Sequence, residues 1–513
     1  MAVGPHLTSM PSLFSRKPIG ELVAESDVGL RRTLGVKDLV FLSIGAVIGA
    51  GIFSTLGTAA AGEILPSGVV VRFGAGPALV LSFLLLGLVC GLAALCYAEL
   101  ASMIPQAGSA YAYSYATLGE IIAWIIGWDL ILEYAVGNVA VAIAWGGYFN
   151  SLISPWIHLP GWITHGYWDV KASSDPAIRA LLDTAPHIGD IPVLVNLPAF
   201  LIVMAVTWLL VIGVRESTRV NNWMVLVKLA VLAVFIVVGA LHINPDNYTP
   251  FAPNGFRGIH QGAAIVFFAF IGFDAISTAA EETRDPQRNM PRGILLGLGI
   301  CTLIYVIVGA VATGLVHYTE LRSSDPLAHA LDVAGFPAAS WVVAFGAVVS
   351  MSAVLLVFQY GQPRIFYAMA RDGLLPPWAA KIHPKFRTPH VTTMVTGLLV
   401  ASAALLVDDD ATYDLTNIGT LSAFALVCIG VLVLRIMEPN RPRPFRVPFV
   451  WPVALGGAGA CLFVMAGLPV RAWERFGIWL AIGLLLYFAY GYRNSTLRRG
   501  TVPVPIEPPP PIE

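Results

Sequence analysis

The stretch I-G-A-V-I-G-A-G-I-F, Ile44 to Phe53, decides the fold. It lies within an apolar run, 38–60, that is long enough to cross a bilayer, because a hydrocarbon core of about 30 Å takes roughly 20 helical residues. Glycine is unfavourable inside helices, and Gly49-x-Gly51 leaves little side chain to hold a turn together. The run therefore predicts a membrane helix that breaks partway across. In lipid, unwound backbone is tolerated only where it faces protein or a cavity. A second stretch, F-F-A-F-I-G-F-D, Phe267 to Asp274, has the same character inside the run 256–282.

Working outward, the rest of the chain agrees with a membrane setting. Of 513 residues, 57% are hydrophobic and 12% are charged, about half the roughly 25% of a globular protein. A soluble chain of this size needs charged skins for several domains. Those charges are absent. With 30 Lys and Arg against 31 Asp and Glu, no basic face is available for nucleic acid. The apolar composition excludes disorder except at the ends. Twelve spans are predicted, at 38–60, 76–104, 119–150, 193–213, 220–242, 256–282, 293–316, 338–370, 389–407, 413–435, 449–470 and 474–492. Cys90, Cys96, Cys301, Cys428 and Cys461 all sit in apolar runs without CxxC spacing, so they are expected to pack rather than to bind metal or form disulfides.

Twelve spans put both termini on one side. Counting a charge in the first or last two residues of a span with the adjoining connection, the segments on that side hold 21 Lys and Arg, and the other connections hold 7. The positive-inside rule then predicts cytoplasmic termini and a multi-pass protein of the cell (inner) membrane. Residues 1–37 lack an apolar signal core, so the first span is expected to be retained. The tail 493–513 becomes Pro-rich from Gly500 and is expected to be extended.

The two breaks define a candidate site. Spans 1 and 6 lead two groups of five, 38–242 and 256–435, followed by two further spans at 449–492. Interruptions at matching places in two halves point to a transporter site. Close packing of small residues is the competing explanation. A broken helix frees N–H groups at the start of its second half and C=O groups at the end of its first. The N–H groups near Ala50, Gly51 and Ile52 would cradle an anion, and the C=O groups near Val47, Ile48, Phe268, Ala269 and Phe270 would receive a cation. Gly49 and Ile271 complete the two gaps. A ligand with both charges a few ångströms apart is an α-amino acid. Small residues at 49–51 would let it reach the backbone, and Phe268, Phe270 and Phe273 form a set able to close over it.

Ionisable residues within spans are costly and so are candidates for function. Lys228 is about eight residues into span 5, roughly 12 Å deep at 1.5 Å per residue. A Lys there can alternate between charged and neutral forms, which suits a proton carrier. Asp129 and Glu133 are four apart and share a face of span 3. Each is either a structural hydrogen-bonding group or part of the substrate path. Asp274 is expected to cap the half-helix after the second break, with direct substrate contact as the alternative. Glu99, near the inner end of span 2, is a surface pair or a gate pair with the Arg-rich inner loops. Glu281 and Glu282 stand beside Arg284 and Arg288 and read as solvated pairs. Arg364 is expected to snorkel.

Several motifs resemble one family. IGAVIGAGIF and ELASMIPQAGSAY, Glu99 to Tyr111, look like signatures of the amino acid-polyamine-organocation superfamily. RKPIGELVAES, FFAFIGFDAISTAAEETRDPQRNMP, GQPRIFYAMARDGLLP and NIGTLSAFALVCIGVLVLR add a likeness to the bacterial branch of the cationic amino acid transporter family. The resemblance runs from about residue 14 to about 490. It implies an all-α, leucine-transporter-like fold, with spans 1–5 and 6–10 as inverted repeats and two additional helices. It also implies rocking of spans 1, 2, 6 and 7 against 3, 4, 8 and 9. In the family, a Lys at the place of Lys228 lies against the first break where sodium-coupled relatives bind an ion, and an acidic residue at the place of Glu133 lies near the substrate path. The family takes cationic and neutral amino acids.

No GxxxxGK[ST] loop, HExxH or GxSxG elbow occurs, and Gly49-x-Gly51 is only a fragment of a dinucleotide fingerprint. The chain is therefore expected to use no cofactor, no metal and no catalytic residues. The expected function is proton-coupled import of α-amino acids, with the substrate, protons and the lipid bilayer as partners. A small membrane subunit would leave no mark in this sequence. An exchanger or facilitator that keeps the site is the first alternative. A membrane amino acid sensor or embedded enzyme is the second.

Overall fold

A computed structural model describes residues 12–20, 34–104, 109–173, 175–212, 218–383 and 388–499. Most of the polar N-terminal segment, the tail from Gly500, and parts of the motifs at 16–26 and 99–111 lie outside the described residues.

Helix occurs at each of the twelve expected places. Among the described residues, seven helices are long and apolar enough to cross a membrane: Gly76–Met103, Glu120–Ile153, Asn222–Ala240, Pro286–Leu315, Pro337–Arg371, Asp409–Met437 and Val470–Arg499. The bent pair Val36–Val47 and Gly51–Ala61 makes an eighth. Leu197–Ile212, His390–Ala404 and Val450–Met465 are shorter apolar helices. The remaining segment is Gly255–Val266 followed by tighter turns, Phe267–Phe270 and Ala275–Glu282. We keep the sequence numbering of spans 1 to 12 for these segments.

The architecture is an all-α membrane bundle. The described strands form two short antiparallel hairpins in connections, Gly62–Ile64 with Val70–Phe73 and His187–Ile188 with Ile191–Pro192. Span 7 packs along spans 2 and 1, span 8 along spans 3 and 5, span 9 along span 4, and span 11 along span 10. Helices in lipid gain little from hydrophobic burial against each other, so close approach through small residues holds them together. The five cysteines are free and buried. Leu88, Val237, Leu399 and Leu485 are exposed, as suits side chains facing acyl chains.

The bundle has two distinct ends. One carries the first hairpin and the long connection between spans 3 and 4, which has its own small core of Val170, Ala185 and Leu194. The other carries both described termini. Lys17 Nζ pairs with Asp372 Oδ1 at 3.0 Å, and Arg498 Nε with Glu120 Oε1 at 2.9 Å. The two termini therefore share one face.

Candidate functional site: two crossed breaks

Span 1 leaves its helix at Ile48, whose ψ of 104° is extended, and resumes in a wide π-type turn at Gly51–Thr55 with a bend of 43°. Span 6 tightens at Phe267–Phe270, turns extended at Ile271 (ψ 138°), and reverses through Gly272 at φ +107°. That φ is open to glycine and strained for other residues. The breaks cross in contact. A Cβ added to Gly51 would lie 2.2 Å from Ala269 Cα, and one added to Gly272 would lie 2.9 Å from the Ala46 carbonyl oxygen. Gly49 meets Val354. Helix contact alone thus requires small residues at 49 and 51.

The carbonyls released by the breaks are met by side chains. Lys228, wholly buried, donates to Gly45 O and Ile48 O, each at 2.8 Å. Ser350 Oγ donates to Ile48 O at 3.1 Å. The Tyr305 hydroxyl lies 3.0 Å from Val47 O and 2.8 Å from Ala269 O, so its single proton serves one break or the other. The Ile271 N–H reaches Phe268 O at 3.3 Å. Of the five carbonyls expected to receive a cation, Ile48 and Phe268 hold protein donors, and Val47 and Ala269 share the Tyr305 proton. Ala50, Gly51 and Ile52 begin the second half of span 1, where helix geometry leaves N–H groups without intrahelical acceptors.

The three Phe residues point to different partners. Phe268 packs edge-on to Tyr413 (4.7 Å between centroids), Phe270 edge-on to Tyr305 (5.4 Å), and Phe273 against Phe424 (4.9 Å) and Tyr97 (5.7 Å). Glu133 lies in a π-type turn of span 3, Leu132–Val136. It is 1% exposed, and its carboxylate oxygens have no hydrogen-bond partner among the described residues. Asp274 and Thr420 are its polar neighbours.

Some expectations change. Asp274 does not cap with its side chain. The following helix is a tight 3-10 turn, so the Ser277 N–H is taken by Asp274's own carbonyl at 2.8 Å, which removes a donor that a cap would use. Asp129 accepts from Ser422 Oγ at 2.8 Å, a structural bond to span 10. Glu99 is buried rather than solvated. Arg435 grips both its oxygens at 3.0 and 2.7 Å, with Arg443 at 3.2 Å. Arg364 is exposed and lies over the Tyr360 ring. The side chain of Glu281 lies outside the described residues.

Sequence reading missed Tyr305, Ser350 and Asn417. Tyr305 and Ser350 sit in apolar runs, and small hydroxyls and phenols are common in such helices. Asn417 alone carried a signal, as the first residue of the NIGTLSAF stretch.

The fold and its crossed breaks define a polytopic membrane transporter, and comparison narrows the class. Residues 34–486 match the amino acid permease family. The chain is 43% identical over 492 residues to a methylthioribose transporter of Bacillus subtilis, covering 96% of this chain and 100% of that one. It is 44% identical over 493 residues to a branched-chain amino acid permease of the same organism, covering 95% and 99%. It is 36% identical over 443 residues to a vacuolar cationic amino acid transporter of Arabidopsis thaliana, covering 84% and 68%. The chain belongs to the amino acid permease family of the amino acid-polyamine-organocation superfamily.

Proposed function

We propose that this permease imports α-amino acids across the cell membrane in symport with protons, by alternating access, with both termini cytoplasmic. The carrying observation is Lys228, whose ammonium bridges Gly45 O and Ile48 O across the end of the first half-helix. An ammonium there holds the break in one shape. Losing the proton, it can donate fewer hydrogen bonds and carries no charge to the negative helix end. Protonation at Lys228 is thereby linked to the shape of the site. The backbone groups of Val47–Ile52 and Phe268–Ile271 take the head group, and Glu133 and Asp274 line the path of the side chain. The matching breaks in spans 1 and 6 support two inverted repeats.

The relatives' names cover branched-chain and cationic amino acids and a thioether sugar, so the side-chain preference calls for a panel. Purified protein in liposomes is offered labelled L-leucine, L-valine, L-lysine and L-arginine, with and without an inward pH gradient. Uptake of at least one, accelerated by the gradient, is expected. Lys228→Met is expected to retain exchange but to lose the acceleration, and gradient-driven uptake at the wild-type rate in that variant would refute the role. A second reading keeps Lys228 permanently charged, since backbone carbonyls suit a fixed ammonium. It predicts exchange with no response to the gradient in the wild type.

A further inference from the structure

The conspicuous polar stretch of span 10, T-N-I-G-T-L-S at Thr416–Ser422, faces two partners. Asn417 Nδ2 donates to Ala264 O at 2.9 Å and to Ile265 O at 3.0 Å. These carbonyls lie in the last turn of α-helix, which ends at Val266, before span 6 changes to the tight turn Phe267–Phe270. Such a change of pitch shifts the hydrogen-bond pattern and leaves carbonyls at the junction in need of donors. Asn417 brings both its N–H groups to that junction. It is wholly buried, and its Oδ1 has no partner among the described residues. The other polar residues of the stretch meet span 3. Ser422 bonds Asp129, Thr416 Oγ1 lies 3.2 Å from Leu132 O, and Thr420 neighbours Glu133. Gly419 is pressed against the Leu132 side chain, where an added Cβ would come within 2.9 Å.

We propose that Asn417 is a positioning residue for transport, fixing where span 6 leaves its α-helix and thus where the Phe268–Ile271 backbone is presented to substrate. It acts through Ala264 and Ile265 rather than on the ligand. Span 10 then links the second break to the turn that carries Glu133, and the two keep one register as the site forms. This rests on the amino acid transport reading, and the test separates the two.

The test compares Asn417→Leu with Ser422→Ala. Each removes a side-chain hydrogen bond of span 10, but only the first touches the break. Kinetics use labelled L-leucine and L-arginine in liposomes, and hydrogen exchange is followed over residues 255–282 of the purified protein. Asn417→Leu is expected to raise KM about tenfold with Vmax within about threefold, and to speed exchange at the break. Ser422→Ala is expected to keep KM within about twofold. If Asn417→Leu does not fold, Asn417→Gln, which moves the amide one carbon further out, carries the same comparison. An unchanged KM with lower Vmax in both variants makes Asn417 merely structural and overturns the proposal, as does wild-type protection at the break. If wild-type protein takes up neither probe, the transport reading fails, and the exchange measurement still decides the role of Asn417.

Discussion

Lys228 and Tyr305 both satisfy carbonyls of the first break, yet only Lys228 was visible in the sequence. A cation in an apolar run stands out because its insertion is costly. A tyrosine in G-I-C-T-L-I-Y-V looks like packing until its hydroxyl is placed between Val47 O and Ala269 O. Tyr305→Phe removes that proton and leaves a buried carbonyl short of a donor, at a cost of about 1–3 kcal/mol. If the site works as proposed, a loaded transporter offers its own ammonium to these oxygens and an empty one does not. Net uptake should therefore fall about tenfold while exchange of substrate for substrate is largely kept. Equal loss of both would show that Tyr305 serves loaded and empty forms alike. A second residue-scale outcome concerns Asp325, in the connection after span 7. Burial pushes its carboxyl up to about 6, against the hydrogen bond from Ser151 Oγ at 2.5 Å. The folded form therefore binds this proton more tightly than the unfolded chain, whose Asp titrates near about 3.9. Stability from this group is full below about pH 4, falls towards about pH 6 and is flat above, worth up to about 3 kcal/mol. Asp325→Asn should flatten that part of a thermal-unfolding profile, and an unaltered slope would remove Asp325 as its source.

Among elements, the crossed breaks are the decisive unit. Gly51→Ala would drive a methyl into the Ala269 backbone, and backbone cannot rotate away as a side chain can. Overpacking of this kind costs about 1–3 kcal/mol or more, and here it falls on the contact that sets the site. Transport should drop at least about tenfold while helical content is retained. Gly459→Ala in span 11, with nothing within 4 Å of the added carbon, should be silent. A functional Gly51→Ala would mean that the breaks need not touch. The breaks were legible because glycine spacing and bilayer length are local properties. What each glycine faces was not, since it depends on packing between spans far apart in sequence. The tight turn after Asp274 was hidden for the same reason. The residues allow either pitch, and contact with span 1 at Ala46 accompanies the observed one. The NIGTLSAF stretch of span 10 carried part of the family likeness, but its partners on spans 3 and 6 required the fold.

At the scale of the molecule, the termini fasten the bundle on one face. Asp372 directly follows span 8 and takes Lys17 at 3.0 Å and the Tyr111 hydroxyl at 2.8 Å. Glu120, the first residue of span 3, takes Arg498, Tyr115 and Tyr487. Further along, Leu34 pairs its backbone with Glu282 and Arg284 at the end of span 6. The N-terminal segment is tied to span 8 through Lys17 and to span 3 through Ser15, whose carbonyl accepts from the Glu120 N–H at 3.0 Å, and to span 6 further along. If span 6 rocks against spans 3 and 8, the distance between those ties changes in each cycle. Both side chains of the Lys17–Asp372 pair are at most 6% exposed. Removing one partner of such a pair strands the other charge at about 3–5 kcal/mol, whereas replacing both with apolar groups is mild. Asp372→Leu alone should lower the unfolding temperature by several degrees, and adding Lys17→Met should restore most of the loss. Because the double variant lacks a tie that each cycle would have to loosen, its Vmax should equal or exceed the wild-type value at unchanged KM. A double variant that is stable but transports more slowly would mean that the tie helps to drive the motion.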